Sequence, residues 1–402
     1  MKVLQVNCVY GNGSTGKITQ ALHRELLARG VESVVCYGRG EKIREPGVCK
    51  ICGEFGAKCN HLLANLTGLL YGGCFFSTNR LIRTIRKEQP DIVHLQCLNG
   101  YFVNIYRLVS WLKRQGIQTV LTLHAEFMYT ANCGHALDCP RWLHGCGSCP
   151  RLRRETESLF FDGTARSYRK MQQAFAGFGG HLRVVSVSPW LQSRAEQSPI
   201  LAGMRHFVVF NGIDTEIFHP WSTEDLRKQH GLRDEIILFH ATPFFSADPE
   251  HLKGGCHILR LAERFADANV KIFVAGDSEK GMRIPGNVIL LGRIQDPRQL
   301  ARYYSMADVT VLTSRKEAFS MVTAESLCCG TPVAGFQAGG PEQIAPAAYA
   351  RFVKPGDETA LFREIGSLIG RRQKDFRDIS EHAKSVYSKT LMTDRYMDIY
   401  LT

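Results

Sequence analysis

The apolar residues of this chain fall into short, unbroken blocks that arrive in two series. Blocks at 2–6, 34–37, 91–95, 118–123 and 184–187 are rich in Val, Leu and Ile with little polar alternation. That is the pattern of strands buried on both faces of a parallel sheet. A second series starts at 236–241 and continues at 271–275, 288–291 and 309–312. Helical patterns lie between the blocks, up to about residue 29, at 80–88 and at 256–265. The alternation predicts two doubly wound α/β domains. Residues 40–78 show no regular period and are expected to be irregular. The two series meet at 208–214, VVFNGID, where Asn211-Gly212 demands a turn. The expected domains are therefore 1–209 and 210–385, with a closing helix within 386–402.

The strand at 309–312 runs into SRKEAFSMVTAESLCCGTP, residues 314–332, where seven residues separate Glu317 from Glu325. A helix is expected from about 319–321. Glu317 then stands at the carboxyl rim of a sheet, where open α/β sheets bind ligands, and Glu325 lies about two turns away. The helix N-terminus suits a phosphate, and carboxylates beside it can accept from sugar or ribose hydroxyls. The bland alternative is two acids on a solvated helix. Upstream, Lys253 precedes Gly254-Gly255 in a loop. Its ammonium could stabilise the charge on a departing diphosphate, with Arg293 or Arg315 assisting. In the first domain, a strand, GNGSTG at 11–16 and a helix follow in turn, so Gly13 and Ser14 could bring backbone N–H groups to a ligand. This is not a P-loop, because Ile18 stands where Ser or Thr should follow Lys17. His124 ends the block at 118–123 and is a candidate for the same rim.

A length of 402 residues with 44% hydrophobic content suits a soluble globular protein of two or three domains. No apolar run of about 18 residues occurs, and glycines come too early for a signal peptide. Fourteen cysteines in such a chain point to a reducing, cytoplasmic setting. Cys133, Cys139, Cys146 and Cys149 could form a tetrahedral thiolate site for a structural zinc ion, with His135 and His144 as spare ligands. Four free thiols in a structural insert at about 126–152 are the alternative. Charge is uneven: residues 1–210 carry 26 Lys and Arg against 13 Asp and Glu, and the remainder carry 24 against 25. The basic half could meet nucleic acid, anionic lipid or a phosphorylated acceptor. Arg80, Arg83, Arg86 and Lys87 cluster on the helix at 80–88, so peripheral contact with an anionic membrane is expected there, against a merely solvated face.

Glu317, Phe319, Glu325, Gly330, Thr331 and Pro332, with Gly339-Gly340-Pro341-Glu342 and NGID at 211–214, closely resemble retaining glycosyltransferase family 4. Within it, the chain resembles the colanic-acid-type polysaccharide sub-group, which has a similar cysteine-rich insert. Two departures stand out: Ser320, where glycine is more usual, and Ala125-Glu126 after His124, where the sub-group has aspartate. The family also commonly has an arginine shortly before the lysine; none lies between 236 and 251. The resemblance implies an α/β GT-B fold, two Rossmann-like domains facing a cleft with the cysteine-rich insert in the first and the last helix returning to it. It implies a nucleoside-diphosphate sugar donor, no catalytic divalent metal, and a glycan or polyprenyl-diphosphate-linked acceptor at the inner face of the membrane. By the same resemblance, Glu325 holds the ribose, Glu317 the donor sugar and Lys253 the diphosphate. Arg293, Phe319 and Ser320 complete the donor site, Gly13 and Ser14 lie near diphosphate or acceptor, and His124 serves catalysis. Two rivals stand beside this reading, a GT-B sugar-nucleotide epimerase and a zinc-containing basic nucleic-acid-binding protein. Under the main reading no nucleic-acid partner is expected.

Overall fold

The computed structural model describes residues 1–369 and 372–402, in two compact units. Met1–Phe210 and Met392–Thr402 form one unit, and Asn211–Leu391 the other. The first holds seven strands, β1 (Lys2–Asn7), β2 (Glu32–Tyr37), β3 (Val48–Lys50), β4 (Ile92–Leu95), β5 (Gln118–Leu123), β6 (Leu182–Ser186) and β7 (Arg205–Val208). They lie parallel in the order β3-β2-β1-β4-β5-β6-β7. The second holds β8 (Ile236–Phe245), β9 (Val270–Ser278), β10 (Val288–Gly292), β11 (Val309–Leu312), β12 (Val333–Phe336) and β13 (Ala350–Val353). These are parallel too, ordered β10-β9-β8-β11-β12-β13. Every residue of β4, β6, β11 and β12 is buried, as continuous apolar strands covered on both faces should be. The core of the second unit gathers Leu238, Val274, Val309 and Val311 from the sheet against Ile258, Leu261, Leu361 and Ile365 from its helices.

Two expectations need correction. The segment 40–78 is not irregular: it holds the short edge strand β3 and the helix α2 (Glu54–Thr67), and then starts α3 (Phe75–Glu88). In chain order the preceding helix, α1, is Gly13–Ala28. The sheet of the first unit does not end at 184–187, because β7 adds a strand beyond β6. The closing helix expected within 386–402 is present as Lys389–Leu401, set off from the preceding helix Arg372–Tyr387. Ile213 makes the break: its N–H donates to Tyr387 O at 2.7 Å and its carbonyl accepts from Lys389 N–H at 3.0 Å. Those two backbone groups are thereby drawn out of a continuous helical ladder.

From Met392 on, that helix belongs to the first unit, to which it contributes Tyr396 and Tyr400, both buried. Tyr400 Oη lies 2.7 Å from His94 Nδ1 on β4, and Tyr396 Oη 2.9 Å from Thr122 Oγ1 on β5. His94 also reaches Thr122 Oγ1 through Nε2, at 2.7 Å. Each ring brings apolar area into the core while its hydroxyl finds a partner, which is what makes burying tyrosine favourable.

Candidate active site

In each sheet the strand order reverses once, between β1 and β4 and between β8 and β11, and the carboxyl ends at such a reversal are where open α/β sheets receive ligands. In the second unit the loops leaving β8 and β11 are sewn together. Arg315 N–H donates to Leu252 O at 2.8 Å, Thr313 Oγ1 donates to Lys253 O at 3.1 Å, and the Arg315 guanidinium reaches the Glu250 carboxylate at 3.1 Å. Gly254, at φ 64°, lies so close that a Cβ there would fall 2.1 Å from Thr313 O. Only glycine allows this approach. The stitching brings Lys253 Nζ to 2.6 Å from Glu317 Oε1, with both side chains largely buried.

Glu317 is held from its other side as well. Its N–H donates to Ala338 O and its carbonyl accepts from Gly340 N–H, both at 2.9 Å. The Glu342 carboxylate accepts from the Ala338 and Gly339 N–H groups at 2.9 and 2.8 Å. Glu342 thus fixes the backbone that fixes Glu317, a role that its place in GGPE signals only once the fold is known. The helix Gly255–Arg264 begins directly after Lys253-Gly254, with no side chain capping its first turn. An ammonium beside an uncapped helix N-terminus attracts anions.

The other expected donor residues are spread around this pair. Glu325, half-buried in the helix Met321–Cys328, accepts from Tyr304 Oη at 3.2 Å. Burial and, secondarily, that carboxylate push the Tyr304 phenol well up. The Phe319 ring is buried edge-on to Tyr387 at 6.3 Å, so its side chain packs. Ser320 takes φ 84° and its Oγ accepts from Thr323 N–H at 3.2 Å. Arg293 pairs with Asp277 at 2.9 Å at the ends of β10 and β9, so both candidate arginines are engaged with carboxylates. Sequence reasoning missed His240 on β8, whose Nδ1 meets Val311 O at 2.9 Å. Burial above all, with a smaller contribution from Lys253, lowers its pKa to about 4.

The reversal in the first unit is built from neutral groups. Gln96 Nε2 donates to Gln5 Oε1 at 2.6 Å, and His124 Nε2 lies 3.2 Å from Gln96 Oε1. A carbonyl oxygen only accepts, so in this network the imidazole proton sits on Nε2. Burial lowers the pKa of His124 to about 4, leaving it neutral near pH 7. Gly13, at φ 63°, and Ser14 open α1, and the Gly13 N–H is already taken by Asn12 Oδ1 at 2.8 Å.

Glu126 is fully buried and accepts from Tyr129 Oη at 2.5 Å and from Arg194 Nε and Ala136 N–H at 2.7 Å. The Arg194 guanidinium lies over the Trp142 and Trp190 rings at 4.8 and 5.2 Å. Glu126, two positions after His124, therefore ties together the segments that carry Ala136 and Arg194. Cys133, Cys139, Cys146 and Cys149 are half-buried thiols, and burial raises Cys146 to about 11. Among the described residues no three His, Cys, Asp or Glu side chains converge on one ion position, so the thiols as placed do not fit the expected zinc site. Glu126, the Asp162 carboxylate on Cys149 N–H at 2.6 Å and the Tyr168 hydroxyl on Trp142 O at 2.9 Å hold the insert. No described helix is long and apolar enough to cross a membrane.

Comparison with known proteins finds the same pattern over the whole chain. The family model described as Glycosyltransferase Family 4 matches residues 15–217, and that described as Glycosyl transferases group 1 matches 244–371. The chain is similar to a protein of Escherichia coli K12 named for colanic acid biosynthesis, glycosyl transferase WcaC, at 22% identity over 430 residues, covering 100% of this chain and 99% of that protein. Among solved structures it is similar to sucrose-phosphate synthase from Thermosynechococcus elongatus, with a TM-score of 0.68, 16% identity and coverage of 100% and 98%. Anabaena HepE in complex with UDP-glucose matches with a TM-score of 0.62 at 17% identity, covering 99% of each chain.

Proposed function

The chain belongs to glycosyltransferase family 4 and has the GT-B fold, and on that footing we propose that it transfers a sugar, with retention, from a nucleoside-diphosphate sugar to a hydroxyl of a lipid-linked or polysaccharide-precursor acceptor in the cytoplasm. The observation that carries this reading is the Lys253–Glu317 pair at the β8/β11 reversal. An arriving diphosphate competes with Glu317 for the Lys253 ammonium. When it wins, the carboxylate is released to accept from donor sugar hydroxyls. The C1–oxygen bond then breaks towards a leaving diphosphate whose charge Lys253 and the uncapped start of Gly255–Arg264 stabilise. Glu325 accepts from the ribose hydroxyls. Gly13, Ser14 and neutral His124 serve the acceptor, His124 orienting a hydroxyl through hydrogen bonding. The names of the relatives support the donor class, since HepE was solved with UDP-glucose, and the polysaccharide setting, through WcaC.

A thermal-shift panel of nucleoside-diphosphate sugars tests this. A true donor present at about 100 times its Kd adds roughly 2.7 kcal/mol of apparent stability. No shift with any donor overturns the reading, and epimer formation from donor alone reassigns the reaction to isomerisation.

A further inference from the structure

Where the edge strand β3 pairs with β2, Cys49 stands directly opposite Cys36 in the parallel register. Side chains alternate across a strand, so the two thiols share one face of the sheet. Val35 and Tyr37 pack with Tyr10 on the other face. The charges that act on the thiols, Arg80 and Glu88, both belong to α3. Paired strands lie about 4.8 Å apart, within the Cα separation of roughly 4.4–6.8 Å that a disulfide spans. The Cys36 S–H already donates to Cys49 Sγ. Because β3 has three residues and a strand on one side only, it can close the remaining gap without displacing another strand.

The two thiols are unlike. Cys36 is wholly buried, whereas Cys49 is half-buried and open to a small reagent. The S–H donated by Cys36 above all, with the Arg80 guanidinium adding to it, holds the Cys49 thiol below its ordinary value against burial and the Glu88 carboxylate. The same hydrogen bond and burial push Cys36 well up. Cys49 is therefore the thiol that ionises first, and the thiolate is the nucleophile. Cys52 has the spacing of a C-x2-C partner, yet its own neighbours are Ser77, Arg39 and Glu54, and burial raises it. We propose that Cys49 is an oxidation site with Cys36 as its resolving thiol, the pair closing to a disulfide that ties β3 to β2. The oxidant is a hydroperoxide such as hydrogen peroxide. The Cys49 thiolate attacks a peroxide oxygen, so that an S–O bond forms, the O–O bond breaks, and the hydroxide released takes a proton from solvent. The Cys36 sulfur then attacks the Cys49 sulfenic acid. The S–S bond forms, the S–O bond breaks, and the departing hydroxide leaves as water with the Cys36 proton. Two thiols and one hydrogen peroxide thus give one disulfide and two waters. None of the transfer chemistry enters, so either reading can fail alone.

Peptide mapping tests it on the full chain, treated with hydrogen peroxide near neutral pH, blocked at its remaining thiols and digested without reductant. Trypsin places Cys36 in 30–39, Cys49 in 45–50 and Cys52 in 51–58. The expected product is 30–39 joined to 45–50, separated again by a thiol reductant. In the oxidised chain the amides of β3 should exchange about tenfold more slowly, since the cross-link suppresses opening of the edge. Cys36→Ser should halt the reaction at the Cys49 sulfenic acid, trapped as its dimedone adduct, and Cys49→Ser should leave Cys36 a free thiol. The wild-type map decides the matter even where a variant fails to fold. A link from Cys49 to Cys52 or to a second chain overturns the proposal. So does a chain in which Cys36 and Cys49 are both still free once the exposed Cys59 has been oxidised.

Discussion

The two sheets offer the same place, the carboxyl ends at the reversal of strand order, and furnish it with opposite chemistry. At β8/β11 stands a charged pair, Lys253 against Glu317, beside an uncapped helix start. At β1/β4 stands a neutral relay, Gln5 to Gln96 to His124, with both glutamines buried and the imidazole half-buried. A fixed cation answers to a ligand whose charge changes during the reaction, whereas amides and a neutral imidazole can only orient a polar group. The asymmetry is what the proposed function draws on when it gives the anionic substrate to the second unit and the neutral hydroxyl to the first.

The sharpest way to break that assignment is to remove the charge. Lys253→Ala should lower kcat/KM about 10²–10³-fold, in line with loss of one preorganised group facing developing negative charge. His124→Asn, which removes an orienting partner only, should cost less. Kinetics in which His124→Asn matches or exceeds Lys253→Ala would overturn the comparison.

A second test uses acid. Burial lowers His94 to about 3 and His124 to about 4 in the first unit, and His240 to about 4 in the second, with His23 and His230 lowered as well, one on each side. An unfolded histidine titrates near ~6.5, so between that pH and the folded values the unfolded chain binds more protons. The stability from keeping each ring neutral is complete above about pH 6.5 and is lost as pH falls towards 4, at up to about 1.4 kcal/mol per pH unit for each ring. The first unit, with three such rings to the second's two, should lose amide protection faster between neutral pH and pH 5, after correction for intrinsic exchange. Equal loss in both units would show that these rings do not govern acid sensitivity.

How much of this was legible in the residues depends on where each pattern is buried. The strands at 2–6, 91–95, 118–123, 236–241 and 309–312 could be read because a strand covered on both faces has no choice but to be apolar. That Lys253 and Glu317 would stand at a sheet rim could be read because each follows a buried apolar strand. The helix α2 escaped because its apolar residues face outward while only alanines face in, so the usual inward stripe is absent. The break at Ser388 escaped because Ile213, about 175 positions away in sequence, causes it. Glu126 had no role legible in the sequence, because its role is set by Arg194 and Ala136, partners that only the fold brings near. The four cysteines show the converse: their spacing is suggestive, yet spacing does not place four sulfurs around a point.

The smallest expected effect probes how each reversal starts its helix. Both begin on a left-handed residue, Gly13 at φ 63° after β1 and Ser320 at φ 84° after β11. Glycine meets this at no steric cost, while a residue with a Cβ loses roughly 1–2 kcal/mol there. Ser320 recovers part of that through its Oγ, which accepts from Thr323 N–H at 3.2 Å and meets Thr323 Oγ1 at 2.9 Å. Ser320→Ala keeps the strain and loses the cap, so it should destabilise the second unit by about 1 kcal/mol. That corresponds to a fall in Tm of roughly 2–4 °C for a unit of this size. Ser320→Gly loses the cap but relieves the strain, and should leave Tm within about a degree of the parent. Gly13→Ala adds a Cβ that meets nothing within 4 Å, so only the backbone strain remains, a loss of about 1 kcal/mol confined to the first unit. If Ser320→Ala melts with the parent while Ser320→Gly raises Tm by several degrees, the hydroxyl caps nothing and the serine is held there against its conformational preference alone.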